Sequence, residues 1–133
     1  MAAETRGDEQ ERSAPIDEYA LVSDSQGAAL VSRAGSIDWA CLPRFGSPAI
    51  FARLVHRAGG HWRVAPAGPA RVQRTYLEGT MVLRTIFHTV GGSVAATDAM
   101  PFGPMSGASD RARLAARHPQ GRRRPEGIGG GRC

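Results

Sequence analysis

Between residues 16 and 102, short apolar runs alternate with polar positions, and turn-forming residues separate the runs. A two-residue period of this kind is typical of strands in an antiparallel sheet, where successive side chains point to opposite faces. The pattern predicts seven strands, at Tyr19–Ser23, Ala28–Ser32, Ser36–Leu42, His61–Ala65, Val72–Leu77, Thr80–Val90 and Ser93–Met100.

The alternation is clearest along 80–90. One face there is apolar apart from Thr85, whereas the other face carries Arg84 and His88 among apolar residues. This pattern predicts a sheet with one buried face and one face open to water. Gly91-Gly92 directly after the run predicts a two-residue hairpin turn.

One segment follows a different period. Ile50, Phe51, Leu54 and Val55 have helical spacing, which predicts a short helix over Ile50–His56 that ends before Gly59-Gly60. Several short strands, frequent turns and one small helix together indicate an all-β fold, a partial antiparallel β-sandwich.

The ends of the chain differ from its middle. Residues 1–15 are polar and acidic, and we expect them to be disordered. Residues 16–105 form the predicted sandwich domain. Residues 106–133 are rich in arginine and glycine and lose the alternation, so we expect a disordered tail there.

The positive charge is concentrated in this tail. The formal net charge is +5 and every basic residue is arginine, but residues 1–110 hold ten arginines against eleven acids. The tail has no interleaved aromatic residues for bases to stack on, so we expect no nucleic-acid partner. Nucleic-acid binding through this arginine-rich tail is kept as the less favoured alternative function. No run approaches the roughly 18 apolar residues of a membrane span, and the first residues lack the pattern of a signal peptide. We therefore expect no membrane partner and a cytoplasmic protein.

Few residues suggest catalysis. Phosphate-binding glycine motifs and serine-nucleophile motifs are absent from the sequence. His56 and His61 flank a glycine pair without further metal ligands nearby, and His88 is expected to face solvent. Cys41 is expected to be a small buried apolar residue, and Asp98 to bind neighbouring backbone groups. We predict no catalytic residue, no metal site and no cofactor in this chain.

The pair Asp38-Trp39 allows two interpretations. In the first, Trp39 fills the core or an interface and turn amides satisfy Asp38. In the second, Asp38, Trp39 and Arg44 bind sugar, because tryptophan stacks on a pyranose ring while charged groups bind its hydroxyls. Residue chemistry alone leaves both interpretations open, along with that of a stand-alone carbohydrate-binding module.

A longer comparison of motifs indicates a family. The segment IDEYALVSDSQGAALVSRAGSIDWACLPRFGSPAIFARLV, residues 16–55, resembles the start of bacterial glycoside hydrolase family 15 proteins, the glucoamylase and trehalase group. Three later segments resemble that family in the same order, namely GGHWRVAPAG at 59–68, VQRTYLEGTMVLRTIF at 72–87 and VAATDAMPF at 94–102. The resemblance covers residues 16–105. One departure is Gly46, which stands where an aspartate is usual.

The resemblance implies an N-terminal β-sandwich that precedes a catalytic (α/α)6 barrel. That barrel carries the two glutamates for inverting hydrolysis of α-glucosidic bonds, in trehalose or in α-glucans. We therefore expect this chain to lack the catalytic pair and to have the barrel as its missing partner. The change in composition after residue 105 suggests a truncated or frameshifted reading frame. In the complete enzyme, Asp38, Trp39 and Arg44 are expected to lie between the domains at the rim of the active site.

Overall fold

The computed structural model describes residues 13–42 and 44–100, together with two short backbone segments at 116–117 and 120–122. The described chain begins with a single 3-10 turn, Ile16–Glu18, and is otherwise built from strands and loops. Ten strands make two antiparallel sheets. This confirms the predicted all-β class.

The first sheet is formed by the first half of the chain. Its strands are β1 (Tyr19–Ser23), β2 (Ala28–Ser32), β3 (Ser36–Cys41), β4 (Ala49–Phe51) and β5 (Trp62–Arg63). They are arranged in the order β1-β2-β3-β4, and β5 also pairs with β3. Asp24 shapes the first hairpin, because its Oδ1 accepts hydrogen bonds from the amides of Gln26 and Gly27 at 2.9 and 2.8 Å.

The second sheet is formed by the remaining strands. They are β6 (Arg71–Tyr76), β7 (Leu83–Thr89), β8 (Gly92–Ala99), β9 (Ala116–Arg117) and β10 (Gln120–Arg122). Their order is β10-β8-β7-β6, and β9 also pairs with β8. Two short strands of this sheet therefore lie within the segment predicted to be a disordered tail.

The core lies between the two sheets. Its buried apolar side chains come mainly from the first sheet, and they pack with Leu83 of β7 and with Met100; these side chains are Ala20, Val22, Ala29, Val31, Ile37 and Ala40. On β7, Leu83, Thr85 and Phe87 are at most 2% exposed, whereas His88 is exposed. The apolar face predicted along this strand is therefore the buried one.

Two long side chains of β6 also join the sheets. The guanidinium of Arg74 donates to the carbonyl of Val31 at 3.1 Å, and the hydroxyl of Tyr76 donates to the carbonyl of Leu21 at 2.8 Å. Burial and the nearby charge of Arg33 lower the pKa of Arg74. The two bonds position the edge of the second sheet over β1 and β2.

The helix predicted over Ile50–His56 is wrong. Residues Ala49–Phe51 instead form β4 and pair with β3, and the chain then turns, with the amide of His56 bonded to the carbonyl of Ala52 at 2.9 Å. The helical spacing spans too few residues for a stable helix, and β3 offers pairing partners to Ala49 and Phe51.

The hairpin prediction also needs a correction. Thr89 pairs with Gly92, so the two turn residues are Val90 and Gly91, and Gly92 already belongs to β8. The other predicted strands are present; β1 and β2 have the predicted ends, and the ends of the remaining strands shift by at most three residues.

Most of the predicted acidic leader, residues 1–12, lies outside the described residues, as does the tail apart from β9 and β10. In the part of the chain that the structure describes, no helix is long and apolar enough to cross a membrane.

Candidate functional site

Asp38 occupies a β-bulge in β3. Leu30 of β2 pairs with Trp39, and the next residue, Val31, pairs with Ile37, so Asp38 has no partner of its own on β2. An extra residue of this kind breaks the strict alternation of side chains along a strand. This explains how Ile37 and Ala40, three residues apart, both belong to the core. The bulge therefore aims Asp38 away from the core.

The carboxylate of Asp38 is buried and bonded through both oxygens. Oδ1 accepts a hydrogen bond from the hydroxyl of Ser36, and Oδ2 accepts one from the hydroxyl of Tyr19, each at 2.5 Å. The Tyr19 oxygen in turn accepts a hydrogen bond from the amide of Ala14 at 3.2 Å. Asp38 is only 3% exposed. It thereby ties the segment that enters β1 to the third strand.

The environment of Tyr19 opposes ionisation. Burial, the hydrogen bond to Asp38 and the negative charge of that carboxylate raise the pKa of Tyr19 well above its ordinary value. The phenol therefore stays protonated and keeps donating to Asp38 where an exposed tyrosine would ionise.

A pocket of about 380 Å³ opens beside this network. Its lining includes the charged and hydroxyl side chains of Glu18, Ser32, Ser36, Asp38, Arg53 and Arg63. The two guanidinium groups and the carboxylate of Glu18 can bind hydroxyls or counter-charges on a neighbouring surface, whereas the carboxylate of Asp38 is already bonded through both oxygens. No sequence pattern indicates that these groups come together, since they lie on separate elements.

Arg53 lies in the loop between β4 and β5, and Arg63 belongs to β5; this loop is fixed in place. After β4 the chain leaves the sheet and returns to it as β5, and the amide of Leu54 donates to the backbone carbonyl of Asp38 at 2.9 Å. Within the loop, the amide of Ala52 donates to the carbonyl of Gly59 at 2.9 Å. A side chain at position 59 would place its Cβ 2.6 Å from the carbonyl carbon of Ala52, so this close approach requires glycine.

Of the three residues predicted to bind sugar, the structure brings only Asp38 into this pocket. Trp39 is its neighbour in sequence, but it is half-buried and does not line the pocket. Arg44 is exposed in the turn after β3, where its amide donates to the hydroxyl of Ser47 at 3.2 Å and its carbonyl accepts from the amide of Ser47 at 2.9 Å. Gly46 in the same turn is exposed, with open space where a side chain would stand.

The other polar candidates have ordinary surroundings. His56 and His61 are exposed, and Nδ1 of His56 accepts a hydrogen bond from the amide of Ala58. Cys41 is free and buried, as expected of a small apolar residue. Asp98 is fully buried on β8. Nowhere in the described part of the chain do three histidine, cysteine or carboxylate side chains gather to hold a metal ion.

Most of this chain matches known proteins in sequence. Residues 7–116 match the family described as trehalase-like, N-terminal. The trehalase of Mycolicibacterium smegmatis is 37% identical over 106 residues, which are 79% of this chain and 16% of that protein. The trehalase of Mycobacterium tuberculosis is 36% identical over the same shares. Trehalase 2 of Sulfolobus acidocaldarius is 33% identical over 85 residues, 63% of this chain and 14% of its own.

The similarity covers only part of each relative. The chain spans about one sixth of the length of the relatives it matches. No solved structure shows a significant match to it. The family match also extends beyond residue 105, where the resemblance in sequence motifs ends, and it takes in the first residue of β9. By the extent of this match, which covers most of its residues, the chain belongs to the trehalase-like N-terminal domain family.

Proposed function

We propose that this chain is the N-terminal, non-catalytic domain of a glycoside hydrolase of family 15, an enzyme that hydrolyses the α-glucosidic bond of trehalose with inversion. The observation that carries the proposal is the family match over residues 7–116. The relatives named above, all trehalases, favour trehalose over longer α-glucans as the substrate. Inverting hydrolysis needs one carboxylic acid and one carboxylate on opposite sides of the scissile bond. In the proposed enzyme both belong to the catalytic portion, outside the region matched here.

The buried carboxylates of the chain support a non-catalytic role. Both oxygens of Asp38 accept hydrogen bonds from neighbouring side chains. Asp24 accepts two backbone amides of its own turn. Carboxylates held in this way stabilise loops and strands rather than exchange protons with a substrate.

Co-expression tests the proposed function. A tagged form of the 133-residue chain is produced together with the part of the M. smegmatis trehalase that this chain does not match, hereafter the catalytic portion. We expect the chain alone to release no glucose from trehalose, and the co-purified pair to release it. The catalytic portion alone is the control. Hydrolysis by the purified chain, or an inactive pair, would contradict the proposal.

Within this enzyme, we place the segment containing Asp38, Trp39 and Arg44 at the rim of the active site. The reciprocal bonds between Arg44 and Ser47 fix the backbone of the turn and leave the Arg44 side chain exposed. A guanidinium held on a rigid turn can bind sugar hydroxyls at a low cost in entropy. Asp38 contributes indirectly, since its carboxylate is engaged within the domain.

Kinetics of the active pair test this placement. Arg44→Ala and Trp39→Ala are expected to lower kcat/KM by about tenfold or more, because they remove groups that orient the substrate. Arg71→Ala is the matched control, since Arg71 is also exposed but lies on β6. If these variants lose thermal stability but keep the same kcat/KM, Trp39 and Arg44 have a purely structural role.

A further inference from the structure

The edge of the first sheet has an unusual surface, formed by residues 45–63 and here called the edge surface. Four large apolar side chains are exposed on it, with relative exposures of 57% for Phe45, 50% for Ile50, 76% for Val55 and 38% for Trp62. Large exposed apolar side chains are found on surfaces that bind other proteins.

The charges of the edge surface are of one sign. Residues 45–63 contain three arginines, Arg53, Arg57 and Arg63, and no aspartate, glutamate or lysine. Protein interfaces are enriched in aromatic residues and arginine and are depleted in lysine and acids, so the composition matches that of an interface centre. Trp62 and the arginines also belong to the residue types that contribute most to binding.

The edge surface is preorganised. The backbone bonds from Ala52 to Gly59 and from Arg53 to Gly60, at 2.9 and 3.2 Å, close the loop between β4 and β5. A third bond, from Leu54 to the carbonyl of Asp38, fastens the loop to β3. A partner that binds this surface therefore pays little entropy for ordering it.

A second copy of the chain is a poor partner for this surface. A symmetric pairing would bring the arginines of both copies together with no carboxylate from either edge surface between them. The charge instead calls for a partner that presents apolar side chains surrounded by carboxylates.

We propose that the edge surface docks onto an acidic and apolar face of the catalytic portion of the enzyme. This inference rests on the proposed function. The length of the relatives supports it. The chain spans 16% of two of them, so the remaining part of a protein of that length offers a surface for this domain to pack against. Docking also covers the edges of β4 and β5, which pair with β3 alone among the described strands.

Co-purification with matched valine variants tests the docking. Val55 and Val90 are both exposed valines in turns, but only Val55 lies on the edge surface. Val55→Asp is expected to lower the amount of catalytic portion retained by the tagged chain at least about tenfold, because it puts a carboxylate among apolar and acidic groups. Val90→Asp is expected to leave retention unchanged. Arg57→Glu, with Arg71→Glu on β6 as its control, repeats the comparison for charge.

The outcomes separate this inference from the proposed function. Equal retention with Val55→Asp and Val90→Asp, or no retention with the unmodified chain, would overturn the docking. If retention disappears after nuclease treatment, the surface binds nucleic acid, and this result would also overturn the docking. A pair that depends on Val55 but hydrolyses no trehalose would leave the docking standing and remove the proposed function.

Discussion

At the scale of single residues, the hydroxyl of Tyr19 makes two hydrogen bonds within the site. It donates to Asp38 and accepts from the amide of Ala14, so it joins β1 both to β3 and to the segment before β1, and the bond to β3 depends on its proton. Because the pKa of Tyr19 is raised in the folded state, an unfolded chain loses this proton first as the pH rises. The folded state then binds more protons than the unfolded state, and its stability falls with increasing pH.

This reasoning predicts an alkaline loss of stability. Above the ordinary tyrosine pKa of 10.0, the free energy of unfolding is expected to fall with pH in the unmodified chain, and to fall less in Tyr19→Phe. Urea unfolding at several pH values measures this difference. In Tyr76→Phe, Tyr19 is the single tyrosine, so the phenolate absorbance reports its titration directly. Ionisation of Tyr19 at the pH of a free tyrosine would contradict the predicted network.

At the scale of elements, the turn between β2 and β3 is held against the second sheet. Gly35 has a φ of +80°, and a Cβ there would lie 2.5 Å from the carbonyl oxygen of Val64 and 2.9 Å from the ring of Phe87. Gly79 has a similar φ of +70° but open space around it. A comparison of substitutions at the two glycines therefore distinguishes the effect of backbone strain from that of steric conflict.

We expect Gly35→Ala to lower the free energy of unfolding by more than about 2 kcal/mol, since it adds a clash between the sheets to the strain of a positive φ. Gly79→Ala should cost only about 1 kcal/mol, from strain alone. Thermal or urea unfolding of both variants checks the difference. Equal losses would mean that the turn does not pack against Phe87 as described.

The strands were predictable from the sequence because a period of two residues reports burial directly. Along β7, Leu83, Thr85 and Phe87 alternate with a mixed face that carries Arg84 and His88, and this alternation identifies the buried face. The segment from Ile50 was misread because its spacing fits a helix equally well, and only the open edge of β3 decides in favour of a strand. Local pattern cannot show which edge is open.

The candidate site was predictable only in part, for a related reason. Asp38 is conspicuous beside Trp39, but its bulge exists only relative to β2, and its partner Tyr19 is 19 positions away. Arg53 and Arg63 line the pocket because the chain leaves the sheet after β4 and returns to it as β5, beside β3. Such groupings follow from topology, which residue types alone do not encode.

At the scale of the whole molecule, each sheet is formed by its own half of the chain, so the contacts between the sheets are long-range in sequence. The core cluster is small, and two side-chain bonds from β6 supplement it. A domain with so few contacts between its layers gains stability when a partner covers its open edges. The proposed docking through the edge surface and the integrity of the two sheets would then be coupled.

The bulge at Asp38 has a consequence for how this segment can change over generations. Substitutions at the neighbouring positions alter one side chain at a time, but deletion of a single residue from 36–40 would remove the offset that the bulge introduces. Every side chain on one side of the gap would then exchange faces, which would turn Ile37 or Ala40 out of the core. We therefore expect lineages of this domain to vary in the composition of the segment and to keep its length constant.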